Sequence, residues 1–513
     1  MTKSSPSAQE YLKKILLAPV YDVALNTDLN YMARLSQELG NHIFLKREDQ
    51  QPVKSFKLRG AYNCLAQLTA PEMAGGVVTA SAGNHAQGVA FSANRRQVNA
   101  TIVMPETTPD IKIDAVKRFG GNSVQVVLHG MSFDQANQHA KQLSREQGMV
   151  FVPPFDHPDV IAGQGTIARE LLEQNPNLQR LFIAVGGGGL AAGIAVYLKQ
   201  LRPDIQLIGV EAEESACLLA AKAAGQPVEL DSVGIFADGV AVKIMGQETF
   251  RLCDQLLDDV VTVSNDEICA AIKDIFDDTR VIAEPAGALS IAAIRKYCQD
   301  NAVVDENLGA ILCGANINFH TLRYVSERCE LGEQKEAVFA VKLPEEAGAF
   351  KQFCERLGNR AITEFNYRYS TDNEAHVFVG IKLKHGRQEY AALLDELQSA
   401  DYQCFDLSDN EMAKLHVRHM VGGKPAKDIE EHIFSFAFPE HPGALLRFLD
   451  TLGEKWNITL FHYRNHGAAD GLVLCGFEIP QNSRDEFDQH LAELGYKFEE
   501  QSTNPAYQFF LAH

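Results

Sequence analysis

Short runs of β-branched and other apolar residues alternate with helix-length segments through the first two thirds of the chain. The runs lie at residues 43–46, 77–80, 101–105, 124–128, 181–186, 207–212, 260–263 and 309–314. This alternation predicts βα units and a mainly parallel sheet covered by helices on both faces. Ligands of such sheets bind at the carboxyl ends of the strands. We therefore expect the chemistry in the loops that follow these runs.

The last third of the chain contains an internal repeat. Residues 337–369 match residues 432–465, and the likeness resumes at residues 377–383 and 473–479. The pattern of each copy predicts a strand, a turn, a helix, two strands, a second helix and a last strand. Each copy should therefore form a small antiparallel sheet with helices on one face.

Composition and charge narrow the class of protein. A chain of 513 residues is long enough for several cores, at a prior of about 150 residues per domain. Hydrophobic residues at 46% and charged residues at 22% are ordinary for a globular protein. The formal net charge of -20 argues against a nucleic-acid partner or an anionic membrane, because either needs a basic face.

The chain carries no pattern typical of export or membrane insertion. Its N-terminus predicts a polar lead and a short amphipathic helix without the apolar core of a signal peptide. Uninterrupted apolar runs of about 18 residues are absent from the sequence. The ten cysteines form no CxxC pair, which disfavours a zinc site and a secreted disulfide framework. We expect a cytoplasmic protein.

Lys57 lies between two apolar residues, Phe56 and Leu58, in the sequence SFKLRG. A lysine in apolar surroundings loses part of its preference for the charged form and becomes a nucleophilic amine. Schiff-base chemistry requires such an amine. The alternative is a solvated surface lysine, as most of the 47 lysines and arginines should be.

Two glycine-containing loops follow predicted strands. The first, residues 81–88 (SAGNHAQG), can expose backbone N–H groups at a helix N-terminus and bind a carboxylate; a plain N-capped turn is the alternative. The second, residues 186–190 (GGGGL), predicts close approach of the backbone to a phosphate.

The second loop also fits a dinucleotide fingerprint. Gly186, Gly188 and Ala191 match G-x-G-x-x-A, and Glu211 follows at the end of the next predicted strand, as a ribose-binding acid would. On this motif alone, phosphate and dinucleotide remain open. Because no Walker A lysine follows, a nucleoside triphosphate is disfavoured.

Two further candidate residues lie at the ends of predicted helices or strands. Glu284 stands before an apolar helix, where it either faces the site or, as we expect, caps the helix. Cys313 ends the last predicted strand of the α/β part, as a buried small hydrophobe or as a neutral group offered to a ligand.

Five motifs, in this order, resemble the bacterial biosynthetic threonine ammonia-lyases (threonine deaminases) of the fold-type II pyridoxal phosphate enzymes. They are SFKLRGA, SAGNHAQGVA, VGGGGLAAG, AEPAGAL and CGANIN, and the likeness extends through almost the whole chain. The resemblance implies pyridoxal 5'-phosphate as cofactor. It therefore also implies that the glycine loop binds the phosphate of this cofactor and not a dinucleotide.

The resemblance also implies roles for individual residues. Lys57 would be the catalytic residue and the covalent attachment point of the cofactor. Asn84 would meet the ring hydroxyl, Cys313 the pyridine nitrogen, and the phosphate would lie on Gly186, Gly187, Gly188, Gly189 and Leu190. The substrate carboxylate would be surrounded by Ser81, Gly83, Asn84 and His85.

Two departures from related serine racemases are informative. Those enzymes resemble the first loop but have a second serine at the position of Ala82, so racemisation is disfavoured here. They also have an acidic metal cluster, of which this chain retains Glu211 but has Ser215 and Cys217 in the other positions. We predict no divalent metal there.

The P-E-x-x-G-A turns of the repeats resemble ACT-like regulatory modules that bind amino acids. The resemblance implies isoleucine as feedback inhibitor and valine as its antagonist, with Phe365, Tyr367, Phe461 and Tyr463 as candidate effector contacts. The alternative is a duplicated oligomerisation domain. Family likeness also implies a homotetramer.

These observations predict a fold-type II α/β catalytic domain of parallel sheets in two subdomains, followed by two α+β ACT-like modules. The expected boundaries are 1–323 for catalysis, 324–336 for a linker, and 337–425 and 426–513 for the modules. The expected reaction is the deamination of L-threonine to 2-oxobutanoate, the first committed step of isoleucine biosynthesis, with L-serine as a further substrate. The alternatives are a β-eliminating enzyme that prefers serine and an amino-acid sensor with an inert catalytic half.

Overall fold

The computed structural model describes residues 5–319, 321–333, 335–344, 348–358, 360–368, 374–410, 430–439, 446, 448–450, 456–464, 470–480, 483–504 and 507. The chain divides into two compact units, Met1–Gly332 and Glu333–His513. Within the described residues, no helix is both long and apolar enough to cross a membrane.

The first unit contains two sheets. The larger sheet has the order β1-β2-β10-β7-β8-β9, in which only β1 is antiparallel to its neighbour. Its strands are β1 (Leu29–Tyr31), β2 (His42–Arg47), β7 (Arg180–Ala184), β8 (Gln206–Ala212), β9 (Asp259–Val263) and β10 (Asn307–Leu312). The smaller sheet has the order β5-β4-β3-β6 and is parallel throughout. Its strands are β3 (Val77–Ala80), β4 (Ala100–Met104), β5 (Val124–Leu128) and β6 (Val150–Phe151).

Helices connect the parallel strands of both sheets, as parallel pairing requires. In chain order they are α1 (Ala8–Leu16), α2 (Ala33–Leu39), α3 (Lys57–Ala66), α4 (Ala70–Gly75), α5 (Asn84–Arg96), α6 (Asp110–Gly120), α7 (Phe133–Gln147), α8 (Pro158–Gln174), α9 (Gly189–Leu201), α10 (Cys217–Ala224), α11 (Gln247–Leu256), α12 (Asn265–Thr279), α13 (Pro285–Asn301) and α14 (Thr321–Gly332). All eight predicted runs are strands. The predicted parallel α/β class is confirmed.

A buried ionic cluster joins α3 to α8 and to the end of β2. The guanidinium of Arg59 donates to Glu48 Oε1 at 2.7 Å and to Glu170 Oε1 at 2.6 Å, and Lys46 Nζ lies 2.6 Å from Glu170 Oε2. All four side chains are essentially inaccessible to solvent. Burial alone would raise the pKa of Glu48, but pairing with Arg59 outweighs burial and holds that pKa below its usual range.

The second unit is one antiparallel sheet of eight strands, in the order β14-β11-β13-β12-β16-β17-β15-β18. The first copy of the repeat supplies β11 (Glu336–Pro344), α15 (Ala349–Leu357), β12 (Ile362–Arg368), β13 (Glu374–Lys382), α16 (Gly386–Ser399) and β14 (Cys404–Asp406). The second supplies β15 (Glu431–Pro439), β16 (Asn457–Arg464), β17 (Asp470–Glu478), α17 (Arg484–Leu494) and β18 (Lys497–Glu500). The first helix predicted for the second copy lies mostly outside the described residues.

The two copies meet at β12 and β16. These strands pair antiparallel with Phe365 opposite Tyr463 and Tyr367 opposite Phe461. The tandem α+β modules predicted from the repeat are therefore present, joined into a single sheet. Helix α14 belongs to the first unit, and the predicted domain boundary near residue 425 lies outside the described residues.

Candidate functional site

Lys57 is the first residue of α3 and lies at the carboxyl end of the larger sheet. A turn with Lys54 in the left-handed region, at φ +58°, precedes the helix. The ammonium group of Lys57 donates to Pro154 O at 3.1 Å and stands 5.4 Å from the centre of the Phe56 ring. Burial lowers the pKa of Lys57 to about 8, although Cys313 and Glu284 oppose the shift. This lysine therefore supplies a free amine at mildly basic pH.

Three polar side chains form a network beside Lys57. The amide Nδ2 of Asn84 donates to Glu284 Oε1 at 2.6 Å, and Asn84 Oδ1 accepts from Asn316 Nδ2 at 2.7 Å. The backbone N–H of Asn316 donates to Glu284 Oε2 at 3.0 Å. This network fixes the amide plane of Asn84 and leaves its second N–H free of these bonds for a ligand.

The role of Glu284 differs from our expectation. Glu284 occupies the N-cap position of α13, but its carboxylate makes no capping bond to that helix. The side chain instead turns toward Asn84 and Asn316 and is 4% exposed. Burial, together with the charge of Asp238, raises the pKa of Glu284 to about 7. The capping interpretation was wrong, because the carboxylate accepts from the side-chain amide of Asn84 and the backbone N–H of Asn316 instead of from the helix.

The N-terminus of α5 presents free backbone donors. Among the described residues, no acceptor faces the N–H groups of Asn84, His85 and Ala86, and no side chain caps the helix. The hydroxyl of Ser81 accepts from the N–H of Gly83 at 3.3 Å, which shapes the loop. A helix N-terminus with open donors suits a carboxylate.

The imidazole of His85 points away from this row of donors. Its Nε2 lies 3.0 Å from Val152 O, so Nε2 carries the proton and donates to that carbonyl. Its Nδ1 is buried and has no hydrogen-bond partner among the described residues. Burial and the nearby Lys57 lower the pKa of His85 to about 3, so the ring is neutral. His85 can therefore approach a substrate carboxylate through its backbone N–H, while Nδ1 offers an unused acceptor.

The glycine loop joins β7 to α9 and is buried. Among the described residues, no protein acceptor faces the five consecutive N–H groups of Gly187, Gly188, Gly189, Leu190 and Ala191. Buried N–H groups are almost always paired in folded proteins. Five in a row at a helix N-terminus, where Gly188 adopts φ +84°, form a cradle for a multiply charged anion.

Neighbouring protein atoms also require glycines in this loop. A Cβ on Gly187 would lie 2.1 Å from the ring of Phe155, and one on Gly186 would lie 2.9 Å from Val240 Cα. Since Phe155 follows Pro154, which accepts from Lys57, one segment connects the lysine and the glycine loop. No pattern in the sequence pointed to Phe155. Packing therefore accounts for part of the glycine run that we assigned to the ligand alone.

Cys313 lies directly after β10, and it is 4% exposed. Its backbone carbonyl accepts from Phe56 N at 3.2 Å, which brings it next to the lysine turn. Its thiol donates to Ile311 O at 3.6 Å. Burial and the carboxylate of Glu284 raise the pKa of the thiol, so Cys313 is neutral, as its expected role requires.

Glu211 lies at the end of β8, where related enzymes have a metal cluster. Its carboxylate accepts from the N–H groups of Leu218 and Leu219 at 2.7 and 3.0 Å and so binds the first turn of α10. Burial raises the pKa of Glu211 to about 7. These contacts show a helix-binding role for Glu211, and the absence of a metal at this position stays a prediction.

The four aromatic residues proposed as effector contacts are distributed over two environments in the second unit. Phe365 and Phe461 are fully buried in its core, with ring centres 5.8 Å apart. Tyr367 lines a cleft whose other walls include Leu343, Gly348, Phe350, Trp456 and Ile458. Tyr463 is partly exposed. The cleft is formed by both copies of the repeat.

Comparison with protein families matches both parts of the chain. Residues 20–314 match the family described as pyridoxal-phosphate dependent enzyme. Residues 327–417 and 422–511 each match the C-terminal regulatory domain of threonine dehydratase.

Curated proteins similar to this chain align over nearly its whole length. L-threonine dehydratase biosynthetic IlvA of Escherichia coli K12 is 58% identical over 508 residues, covering 99% of this chain and 98% of that protein. The chloroplastic threonine dehydratase 1 of Solanum lycopersicum is 49% identical over 504 residues, covering 98% of this chain and 82% of that protein.

Solved structures resemble part of the chain. The processed form of threonine deaminase isoform 2 from Solanum lycopersicum matches with a TM-score of 0.61 and 49% identity, over 62% of this chain and 92% of that one. Maize serine racemase matches with a TM-score of 0.58 and 30% identity, over 62% of this chain and 95% of that one.

Proposed function

Because this chain belongs to the biosynthetic threonine dehydratases, a family of pyridoxal-phosphate-dependent enzymes, we propose that it converts L-threonine to 2-oxobutanoate and ammonia. The proposal includes feedback regulation, with isoleucine as inhibitor and valine as its antagonist. The observation that carries it is the convergence of Lys57, through Pro154 and Phe155, with the glycine loop, whose buried N–H groups have no protein acceptor among the described residues.

The residues of the site fit pyridoxal 5'-phosphate. The five N–H donors that follow Gly186 carry partial positive charge and can donate to the anionic oxygens of a phosphate group. A side chain on Gly186, Gly187, Gly188 or Gly189 would collide with a neighbour or close the cradle. Lys57 offers the amine for covalent attachment, and Asn84 has an N–H left for the ring hydroxyl. The neutral thiol of Cys313 suits an unprotonated pyridine nitrogen.

The N-terminus of α5 is the proposed binding site of the substrate carboxylate. The open N–H groups of Asn84 and His85, with the hydroxyl of Ser81, would orient the substrate. Gly83 keeps the loop free of a side chain, and a Cβ there would meet no atom within 4 Å. This geometry supports binding of an α-amino acid, because the carboxylate is the group that all such substrates share.

Lys57 is the proposed general base. The cofactor, when bound, supplies an electron sink that stabilises negative charge at the substrate Cα. Lys57 Nζ takes the proton from Cα, and its lowered pKa keeps a fraction of the amine unprotonated for this task near neutral pH. Loss of the β-hydroxyl as water gives aminocrotonate, which tautomerises and is hydrolysed to 2-oxobutanoate and ammonia.

The second unit is the proposed sensor of branched-chain amino acids. Both copies of the repeat match a regulatory domain of the threonine dehydratases, and both contribute to the cleft that Tyr367 lines. The cleft is lined by both apolar and polar side chains, among them Phe350, Lys351 and Asn457, a mixture that suits the apolar side chain and charged groups of an amino acid. Phe365, Phe461 and Tyr463 remain proposed contributors to this function. We also propose a homotetramer in the cytoplasm.

The decisive experiment measures 2-oxobutanoate formation from L-threonine by the purified full chain, alone, with isoleucine, and with isoleucine plus valine. Production that isoleucine suppresses and valine restores supports the proposal. Production indifferent to isoleucine overturns the regulatory part and leaves the catalytic part. No production from threonine, with turnover of L-serine, would identify a serine-directed β-elimination enzyme instead.

A further inference from the structure

Two buried thiols lie behind the glycine loop. Cys217, the first residue of α10, donates its S–H to Gly186 O at 3.3 Å. Cys253, on α11, donates to Gly188 O at 3.7 Å. Both residues are 0% exposed. Burial raises the pKa of Cys217 to about 12 and raises that of Cys253 as well, so both are protonated and available as donors.

These bonds determine which way two peptide groups face. In a trans peptide the C=O of one residue and the N–H of the next point in opposite directions. When Cys217 holds the carbonyl of Gly186, the N–H of Gly187 must point away from α10. The carbonyl of Gly188 accepts from the N–H of Ala192 at 2.9 Å as well as from Cys253. With both bonds in place, the N–H of Gly189 points away from α11. Both N–H groups belong to the five that find no protein acceptor among the described residues.

The glycine loop needs such external restraints. Glycine permits almost any backbone rotation, so a run of four has little intrinsic preference for one peptide orientation. The far side of the loop packs against Phe155 and Val240, which leave no room for a side chain on Gly187 or Gly186. Glu211 holds the first turn of α10 and so fixes the position from which Cys217 donates.

We propose that Cys217 and Cys253 are positioning residues that orient the N–H groups of Gly187 and Gly189 toward a phosphate monoester. The inference rests on the proposed function, because it assumes that the glycine loop binds the cofactor phosphate. The thiols act through the peptide groups and touch neither substrate nor cofactor.

The test compares two probes, pyridoxal phosphate and pyridoxal, binding to the full chain after its cofactor has been removed. We expect Cys217→Ala and Cys253→Ala each to weaken pyridoxal phosphate binding about 3-fold, and the double variant about 10-fold, as loss of weak neutral hydrogen bonds predicts. Pyridoxal has no phosphate, so its affinity should remain within about 2-fold of the unmodified protein, less than one hydrogen bond is worth.

Conservative and matched variants separate positioning from general damage. Cys217→Ser retains a donor and should restore most of the affinity for pyridoxal phosphate. Cys298→Ala removes a buried thiol on α13, away from the loop, and should leave both affinities unchanged. Should the double alanine variant not fold, the serine variants and the single alanine variants carry the same comparison.

Each outcome decides the proposal. A selective loss of pyridoxal phosphate affinity supports positioning by the thiols. Equal loss for both probes, or no loss for either, overturns it. If the unmodified chain fails to bind pyridoxal phosphate, the proposed function itself is wrong, and that result is distinct from a failure confined to the cysteine variants.

Discussion

Two ionisable residues of the site, Lys57 and Glu284, are both shifted toward their neutral forms. Burial lowers the pKa of Lys57 to about 8 and raises that of Glu284 to about 7. Glu284 opposes the lowering of the lysine pKa only in part, although its carboxylate favours the lysine ammonium. A site held this close to neutrality can exchange protons at physiological pH with little energetic cost.

Replacement of Lys57 tests its role directly. We expect Lys57→Ala to reduce 2-oxobutanoate formation by at least about 10³-fold, because loss of a general base alone costs about 10²- to 10⁴-fold and covalent attachment of the cofactor is lost too. Steady-state assays with saturating cofactor measure this. The control is Lys117→Ala, which removes an exposed lysine of α6. A Lys57→Ala protein that keeps a tenth of the activity would contradict the assignment.

The raised pKa of Glu284 predicts a pH-dependent stability difference. Its carboxyl has a pKa of about 7 when folded, against 4.5 in the unfolded chain. The folded protein therefore binds this proton more tightly, and ionisation destabilises it progressively from pH 4.5 to 7. Above pH 7 the full penalty is present, up to about 3 kcal/mol.

We expect Glu284→Gln to gain stability relative to the unmodified protein as pH rises from 5 to 8. The carboxamide of glutamine keeps one acceptor oxygen, so one of the two bonds to Asn84 and Asn316 is lost, and that loss shifts the whole difference by a constant. Thermal unfolding at several pH values measures the difference, and Glu146→Gln on the exposed face of α7 should show none. A Glu284→Gln difference that is flat or falls with pH contradicts the raised pKa.

At the scale of single residues, the sequence predicted which residues form the site but not how their side chains are oriented. Lys57, Asn84 and Cys313 could be predicted because loops after parallel strands converge. The orientation of Glu284 could not be predicted. Its carboxylate bonds to Asn84 rather than to the helix because Asn316, which follows a different strand, bonds to both residues. Asn316 lies within the motif CGANIN, so its nearness could be inferred but not its bond.

Among the elements, α3 carries Lys57, and the position of this helix depends on the buried ionic cluster around Arg59. Arg59 lies two residues after Lys57 and bonds both Glu48 and Glu170, which belong to different segments. Removing one partner of a buried ionic group costs about 3–5 kcal/mol, because the remaining charges lose their compensation. The cluster thereby fixes the position of α3 relative to α8.

We expect Arg59→Met to lower the free energy of unfolding by about 3 kcal/mol or more, measured by denaturant titration. The double variant Arg59→Met with Glu48→Gln should be less damaging than the sum of the two single changes, because it removes an unpaired charge. The control is Arg169→Met, which breaks the exposed pair with Glu173 on α8 and should cost less than about 1 kcal/mol. Strict additivity would contradict the coupling.

Element prediction succeeded where the pattern was long. All eight predicted strands of the first unit exist. Two further strands, β1 and β6, were not predicted, because with three and two residues they are too short to show a periodic pattern. The repeat predicted the elements of each module. It did not predict that β12 and β16 would pair, because an edge strand carries no sequence mark of its partner.

Among the described residues, the largest hydrophobic cluster of each unit consists of residues of that unit alone, so the two units have separate cores. We expect calorimetry to resolve two unfolding transitions. Pyridoxal phosphate should raise the midpoint of one and isoleucine that of the other, because a ligand stabilises the unit that binds it. A single transition that both ligands shift equally would contradict two independent cores.

Phe461 allows the second transition to be assigned. Phe461→Ala should lower the isoleucine-sensitive midpoint, since a buried phenylalanine contributes about 3–5 kcal/mol, and leave the other midpoint in place. The control is Phe405→Ala, because Phe405 is 54% exposed on β14 and contributes little. An unchanged midpoint for Phe461→Ala would remove Phe461 from the core of that unit.

The pairing of β12 with β16 also bears on aggregation. The outer strands of the sheet, β14 and β18, have only three and four residues, and short edges recruit foreign strands poorly. Deleting either copy of the repeat would expose β12 or β16, of seven and eight residues, as a long unpaired edge. Each copy therefore shields the other from intermolecular strand addition, so the duplication protects the solubility of the chain as well as supplying a second module.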